Sequence, residues 1–108
     1  MEEKRRFKRI TFREPVQFRT PGQMESASCL ACDLSEVGIR LNSDKFIPLR
    51  ERMAITLQMY TKNPVNFQGH VAWIQRVPHS EYYQLGLAFD PDIDDQSLRM
   101  LQEYIQSH

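Results

Sequence analysis

Apolar and polar residues alternate with a period of two over most of this chain, a pattern that predicts β-strands. The clearest run places Met53, Ile55, Leu57 and Met59 on one side and smaller or polar residues on the other. Similar runs cover residues 10–18, 26–34, 38–41, 65–73 and 83–89. About six strands separated by turns at regular intervals are typical of a closed or nearly closed antiparallel barrel.

Two interruptions of this pattern carry information. Glu14-Pro15 breaks the first run and predicts an edge or a bulge. After Asp90 the period becomes helical, with Leu98, Leu101 and Ile105 on one face and acidic residues before them that favour a helix N-terminus. We therefore expect a mainly all-β fold in one domain, 1–108. It comprises a basic arm at 1–9, a six-stranded antiparallel β-barrel at 10–90 and a C-terminal α-helix at 92–107.

Composition narrows the class of protein. The 108 residues are 41% hydrophobic and 26% charged, as in an ordinary soluble globular domain, and the formal net charge is zero. A neutral chain has no global field to hold nucleic acid or a membrane surface, so neither is expected as a stable partner. The charged N-terminus carries no apolar targeting segment, and two cysteines without a secretory signal suggest a reducing compartment. We expect a cytoplasmic protein without membrane insertion.

The basic residues are concentrated at the start of the chain. Residues 4–13 contain no acid and six cations: Lys4, Arg5, Arg6, Lys8, Arg9 and Arg13. Arg5 and Arg9 fall on one side of the segment, so their planar guanidinium groups could converge on one ligand with two phosphates. A solvated tail or a nucleic-acid-binding arm is an alternative interpretation of this segment alone.

A second short motif lies in the strand that ends near residue 34. In extended backbone, Asp33 and Ser35 point to the face opposite Leu34. The Asp33 carboxylate can accept two hydrogen bonds, which matches the adjacent ring and amino N–H donors of guanine. Gly38 permits a turn or a close approach of the ligand. The alternative is a local side-chain turn in which Gly38 supplies a positive φ. Combined with the arginines, the motif indicates a small anionic ligand that carries guanine.

Four motifs in order then resemble those of a known family. Arg5–Arg9 has the form RxxxR, and Asp33–Gly38 has the form DxSxxG. Gly69–Trp73 is similar to a GxVxW strand, and Leu85–Phe89 to an (I/L)G(V/L)xF strand. Over nearly its whole length the chain resembles a PilZ domain, a bacterial receptor module for the second messenger cyclic di-GMP.

The resemblance implies a barrel of PilZ type whose N-terminal arm folds over cyclic di-GMP. It implies that Arg5 and Arg9 hold guanine and phosphate, while Asp33, Ser35 and Gly38 hold guanine from the barrel surface. Arg6 is a further candidate for ligand binding, as a cation that could aid phosphate binding or only raise the local potential. The secondary candidates are Lys4, Gly69 and Trp73. A cation at Lys4 favours a stacked pair of ligands in this family. The expected partners are cyclic di-GMP, an unidentified downstream protein and, through an edge strand or the helix, a second copy.

The remaining candidates for chemistry do not indicate an enzyme. Ser35 has no histidine partner in the sequence pattern that would make it a nucleophile. Cys29 and Cys32 form a CxxC, but a zinc site needs two further ligands and no second paired motif supplies them. We predict two ordinary strand cysteines, no metal and no cofactor. Trp73 lies in an alternating apolar strand and is expected in the core rather than as a stacking surface.

Two other functions fit parts of the pattern. One is a PilZ-like interaction module without a ligand, although such relatives typically lack the arginine and DxSxxG residues that this chain has. The other is a small barrel that binds single-stranded nucleic acid through the basic arm, which would make binding strongly dependent on salt.

Overall fold

The computed structural model of the protein describes residues 7–22, 26–59 and 64–108. Within these ranges the chain forms seven β-strands and one α-helix. They are β1 (Arg9–Thr11), β2 (Pro15–Arg19), β3 (Ala27–Ser35), β4 (Gly38–Ser43), β5 (Arg52–Leu57), β6 (Val65–Arg76), β7 (Tyr83–Phe89) and α1 (Asp95–Gln106). Three predicted site residues, Lys4, Arg5 and Arg6, lie outside the described residues.

The strands close into an antiparallel barrel. They follow the order β1-β3-β2-β5-β6-β7-β4, and an additional pairing of β3 with β4 completes the circle. Both β1 and β2 pair with β3, on the side away from β4, so they act as two parts of one bent strand. The described residues therefore form a six-stranded closed barrel with a C-terminal helix, which confirms the predicted fold class.

The bend between β1 and β2 falls at the predicted interruption. Pro15 opens β2, and it has no N–H to donate to a strand ladder. Two backbone hydrogen bonds hold the connecting residues on β3, from Phe12 N to Cys32 O and from Ala31 N to Glu14 O, each at 3.0 Å. The chain therefore bends between β1 and β2 while it stays hydrogen-bonded to β3.

Two β-bulges shift the alternation of side chains. The register of β3 against β4 slips between Ala31 and Asp33, and that of β6 against β7 slips between Val71 and Trp73. An extra residue in one strand reverses which later positions face the core. Trp73 is consequently 41% exposed on the outer face. The expectation that Trp73 belongs to the core was wrong, and the bulge is the physical reason.

Apolar side chains from all the long strands fill the barrel, and helix α1 adds Leu101 and Ile105 to the same core. The helix begins at Asp95, three residues after the predicted start at 92. Asp94 caps it by accepting a hydrogen bond from Ser97 N at 3.2 Å, and hydrogen bonds from the side chain and the backbone of Ser97 lower the pKa of the Asp94 carboxyl. Among the described residues, no helix combines the length and apolar character needed to cross a membrane.

Candidate ligand-binding site

Four adjacent strands place a row of residues side by side on the outer face of the barrel. The register pairs Asp33 of β3 with Arg40 of β4, Arg40 with Gly86 of β7, and Gly86 with Trp73 of β6. Their neighbours along each strand, such as Leu34 and Leu87, are buried in the core. Because side chains alternate along a strand, the row faces outward as one continuous surface.

Asp33 lies at one end of the row between two arginines. Arg9 Nη1 lies 3.0 Å from Asp33 Oδ1, and Arg40 Nη2 lies 2.6 Å from Asp33 Oδ2. The carboxylate is nearly covered, whereas both guanidinium groups are partly exposed, with 44% and 40% of the side-chain surface of Arg9 and Arg40 accessible. The arrangement presents two cations to solvent and keeps the acceptor between them in a fixed position.

Arg40 is a functional candidate that the sequence interpretation missed. It alternates with the buried residues Ile39 and Leu41, so an outward position two residues after Gly38 could have been inferred from the pattern. Its Nε atom is buried and has no hydrogen-bond partner among the described residues. The described residues therefore leave part of the donor capacity of Arg40 unused.

The turn that joins β3 to β4 is held by the Ser35 hydroxyl. Val37 N donates to Ser35 Oγ at 3.2 Å, and Ser35 Oγ donates to Gly38 O at 3.4 Å. Among the described glycines only Gly22 has a positive φ, so Gly38 is not needed for a left-handed backbone. A Cβ at Gly38 would instead lie 2.5 Å from Leu87 O. Gly38 thus allows the backbone of β7 to approach closely.

Trp73 closes the other end of the row. A Cβ at Gly86 would lie 2.2 Å from Trp73 Nε1, so the indole lies directly over the bare backbone of this glycine. A shallow depression of about 150 Å³ results between Trp73 and the turn. Its lining includes Arg9, Ser35, Gly38, Arg40, Trp73 and Gly86.

The structure thus brings together four of the predicted site residues: Arg9, Asp33, Ser35 and Gly38. Trp73 joins them through the bulge. Gly69 does not line the depression, and a Cβ there would lie 2.1 Å from Ala88 O, which places this glycine at a close contact between strands.

Neither cysteine is among the residues that line the depression. Cys29 packs against the core, and burial raises the pKa of its thiol to about 12, which keeps it protonated at neutral pH. Cys32 lies at the bulge, and its Sγ atom is 4.0 Å from Gln84 Nε2. Both thiols are free. Over residues 7–22, 26–59 and 64–108, no group of three or more His, Cys, Asp or Glu side chains is placed to hold a metal ion.

Comparison with known proteins gives one family match in sequence. The family described as "PilZ domain" matches residues 3–107. A search of curated proteins finds no significant match.

Several solved structures share the fold. The Bacillus subtilis inhibitor of motility MotI/DgrA superposes with a TM-score of 0.78 at 20% identity, over 98% of this chain and 51% of that protein. The PilZ domain of YcgR from Escherichia coli with c-di-GMP gives 0.74 at 20% identity, over 97% and 91%. The K. pneumonia MrkH–c-di-GMP complex gives 0.74 at 16% identity, over 98% and 52%. This chain therefore spans about half the length of MotI/DgrA and of MrkH.

Proposed function

This chain belongs to the PilZ domain family, and we propose that it is a non-catalytic bacterial receptor for the second messenger cyclic di-GMP, acting in the cytoplasm. The observation that carries the proposal is the row of Asp33, Arg40, Gly86 and Trp73, with Arg9 paired to Asp33. Two of the similar folds were solved with this ligand, which supports the choice among guanine-containing anions.

The chemistry of the row matches the parts of the ligand. Cyclic di-GMP has two guanine bases and two negatively charged phosphates. An ionised Asp33 can accept hydrogen bonds from the N1–H and 2-amino groups of a guanine edge, because both groups are donors. Arg9 and Arg40 supply charge-assisted hydrogen bonds to phosphate or to the acceptor edge of guanine. The exposed indole of Trp73 offers a flat surface on which a base could stack.

Each carboxylate oxygen of Asp33 holds one arginine in the structure. A carboxylate oxygen has two lone pairs, so guanine can be accepted while an arginine stays in contact or turns toward a phosphate. The pairing also holds the two guanidinium groups in defined positions, which reduces the ordering cost of binding.

Arg5 and Arg6 are further cations, and they lie a few residues before Arg9 in the sequence. We propose that they bind the ligand from the side opposite to the barrel, so that ligand binding fixes the arm over the site. The composite surface of arm, ligand and barrel would then be what a downstream protein recognises. This relay requires no chemical step, and it assigns no catalytic role to any residue.

Replacing Arg40 by alanine tests the role of the residue that the structure adds to the site. We expect cyclic di-GMP affinity to fall by about 10- to 100-fold, because a charge-assisted hydrogen bond contributes roughly 1.5–3 kcal/mol and 1.4 kcal/mol corresponds to a factor of ten. Isothermal titration calorimetry measures the change. Arg19→Ala is the matched control, since Arg19 is an exposed arginine at the end of β2 and should leave affinity unchanged. Equal affinities for the two variants would contradict the assignment of Arg40.

A further inference from the structure

Helix α1 contacts the β3–β4 turn of the ligand-binding site through one polar pair. Gln102 Nε2 donates to Glu36 Oε1 at 2.8 Å, across 66 positions in sequence. Glu36 lies between Ser35 and the turn residue Val37, whose carbonyl accepts a hydrogen bond from Phe89 N at 2.9 Å. The turn is therefore held by its own serine, by the end of β7 and by the helix.

The same helix also contacts the strand that carries Arg9. The Tyr104 ring meets the Phe12 ring edge to face, with centroids 5.7 Å apart and planes at 82°. Phe12 directly follows β1 and is 2% exposed. Its backbone N–H donates a hydrogen bond to the carbonyl of Cys32, the residue before Asp33. Helix α1 thus contacts the β3–β4 turn through Gln102 and the residue after β1 through Tyr104.

We propose that Gln102 is a positioning residue for the turn Ser35–Gly38, and that helix α1 responds to ligand occupancy through it. This inference rests on the proposed binding of cyclic di-GMP at that turn. Gln102 is not among the residues lining the depression, so its effect must pass through Glu36.

The Gln102 hydrogen bond and the ligand are thermodynamically linked through the turn. A turn that must present Ser35 and Gly38 in one geometry binds ligand more tightly if that geometry is already populated. The Gln102 hydrogen bond favours the geometry seen here, because releasing it leaves the turn fewer partners. Coupling free energies are reciprocal, so a ligand that fixes the turn also stabilises the helix residues bonded to it. Helix α1 is anchored by Leu101 and Ile105, which makes it a rigid element able to carry this effect.

The first part of the test is a set of variants measured by calorimetry. Gln102→Leu should weaken cyclic di-GMP binding by about 3- to 10-fold, the range for one lost hydrogen bond. The exchanged pair Glu36→Gln with Gln102→Glu keeps the net charge and reverses donor and acceptor, so it should restore affinity to within about twofold of wild type. Glu103→Gln, an exposed change on the same helix, should have no effect.

The second part measures amide hydrogen exchange of helix α1 with and without ligand. A contact that only stabilises the fold would not make the protection of the helix depend on the ligand. Ligand should increase amide protection across α1 in the wild type, and the increase should be smaller in Gln102→Leu. If the wild type binds cyclic di-GMP and a folded Gln102→Leu variant binds it equally well, the inference about Gln102 is wrong and the proposed function stands. The same conclusion follows if ligand binding leaves the amide protection of α1 in the wild type unchanged. Absence of binding by the wild type would overturn the proposed function, and the inference with it.

Discussion

Replacing Asp33 by alanine is expected to weaken cyclic di-GMP binding by at least about 100-fold. The side chain would accept two hydrogen bonds from guanine, and each bond to a charged acceptor contributes roughly 1.5–3 kcal/mol. The variant also releases Arg9 and Arg40 from the positions they hold at 3.0 Å and 2.6 Å from the carboxylate. Both losses weaken binding, and calorimetric titration measures their combined effect on the affinity for cyclic di-GMP.

Asp44→Ala provides the control for removing a negative charge. Asp44 is exposed in the loop after β4, beyond the row of site residues, so its loss should leave affinity unchanged. Arg5→Ala and Arg9→Ala should weaken binding as Asp33→Ala does. If Asp33→Ala kept or increased its affinity, the arginines alone would recognise the ligand through phosphate, and guanine recognition by Asp33 would be wrong.

Gly69→Ala should destabilise the folded protein by about 3 kcal/mol, near the upper end of overpacking effects. A Cβ on Gly69 would lie 2.1 Å from Ala88 O and 2.9 Å from Ala88 C. Both atoms belong to the backbone of β7, which pairs with β6 and cannot move aside as a flexible side chain would. The strands must separate locally, which costs hydrogen bonds as well as packing. Urea unfolding followed by circular dichroism measures the free energy of unfolding.

Gln68→Ala is the matched variant for this measurement, because Gln68 is the exposed neighbour of Gly69 on the same strand. It should change the free energy of unfolding by less than about 0.5 kcal/mol. A Gly69→Ala protein as stable as Gln68→Ala would show that the two strands do not approach as closely as described.

Much of the fold follows from the sequence because one face of each strand must be buried. The alternation in residues 53–59 and 83–89 predicted β5 and β7 directly, and it is visible because the outward positions there are polar or small. Pro15 marked the bend in the first strand, since a residue without an N–H cannot continue a ladder. The acidic residues before Leu98 indicated a helix N-terminus, and Asp94 is the one that caps it, although the predicted start at 92 was three residues early.

The bulges could not be predicted in the same way. An extra residue at Cys32 or Ala72 is required by how neighbouring strands close the barrel, and the local pattern of apolar residues carries no sign of it. The phase change at Ala72 moved Trp73 from its expected place in the core to the surface. Barrel closure therefore decided the position of Trp73, which the sequence pattern placed wrongly.

Local motifs predicted only part of the candidate site. Asp33 and Ser35 share a face because they are two apart in a strand, and the structure places Arg9 against Asp33. Arg40 is seven residues from Asp33 in sequence and becomes its partner only through strand pairing. The Gln102–Glu36 contact spans 66 positions, and no short motif could have revealed it. The interpretation of Lys4, Arg5 and Arg6 stays a prediction.

The proposed function requires this surface to recognise guanine on a cyclic dinucleotide. Its most direct test is a pair of calorimetric titrations of the wild-type protein, one with cyclic di-GMP and one with cyclic di-AMP. The two ligands carry the same phosphates, but adenine presents an acceptor at N1 where guanine presents a donor to Asp33. We predict saturable binding of cyclic di-GMP and at least about 100-fold weaker binding of cyclic di-AMP. Absence of cyclic di-GMP binding, or equal affinity for the two ligands, would contradict the proposed function.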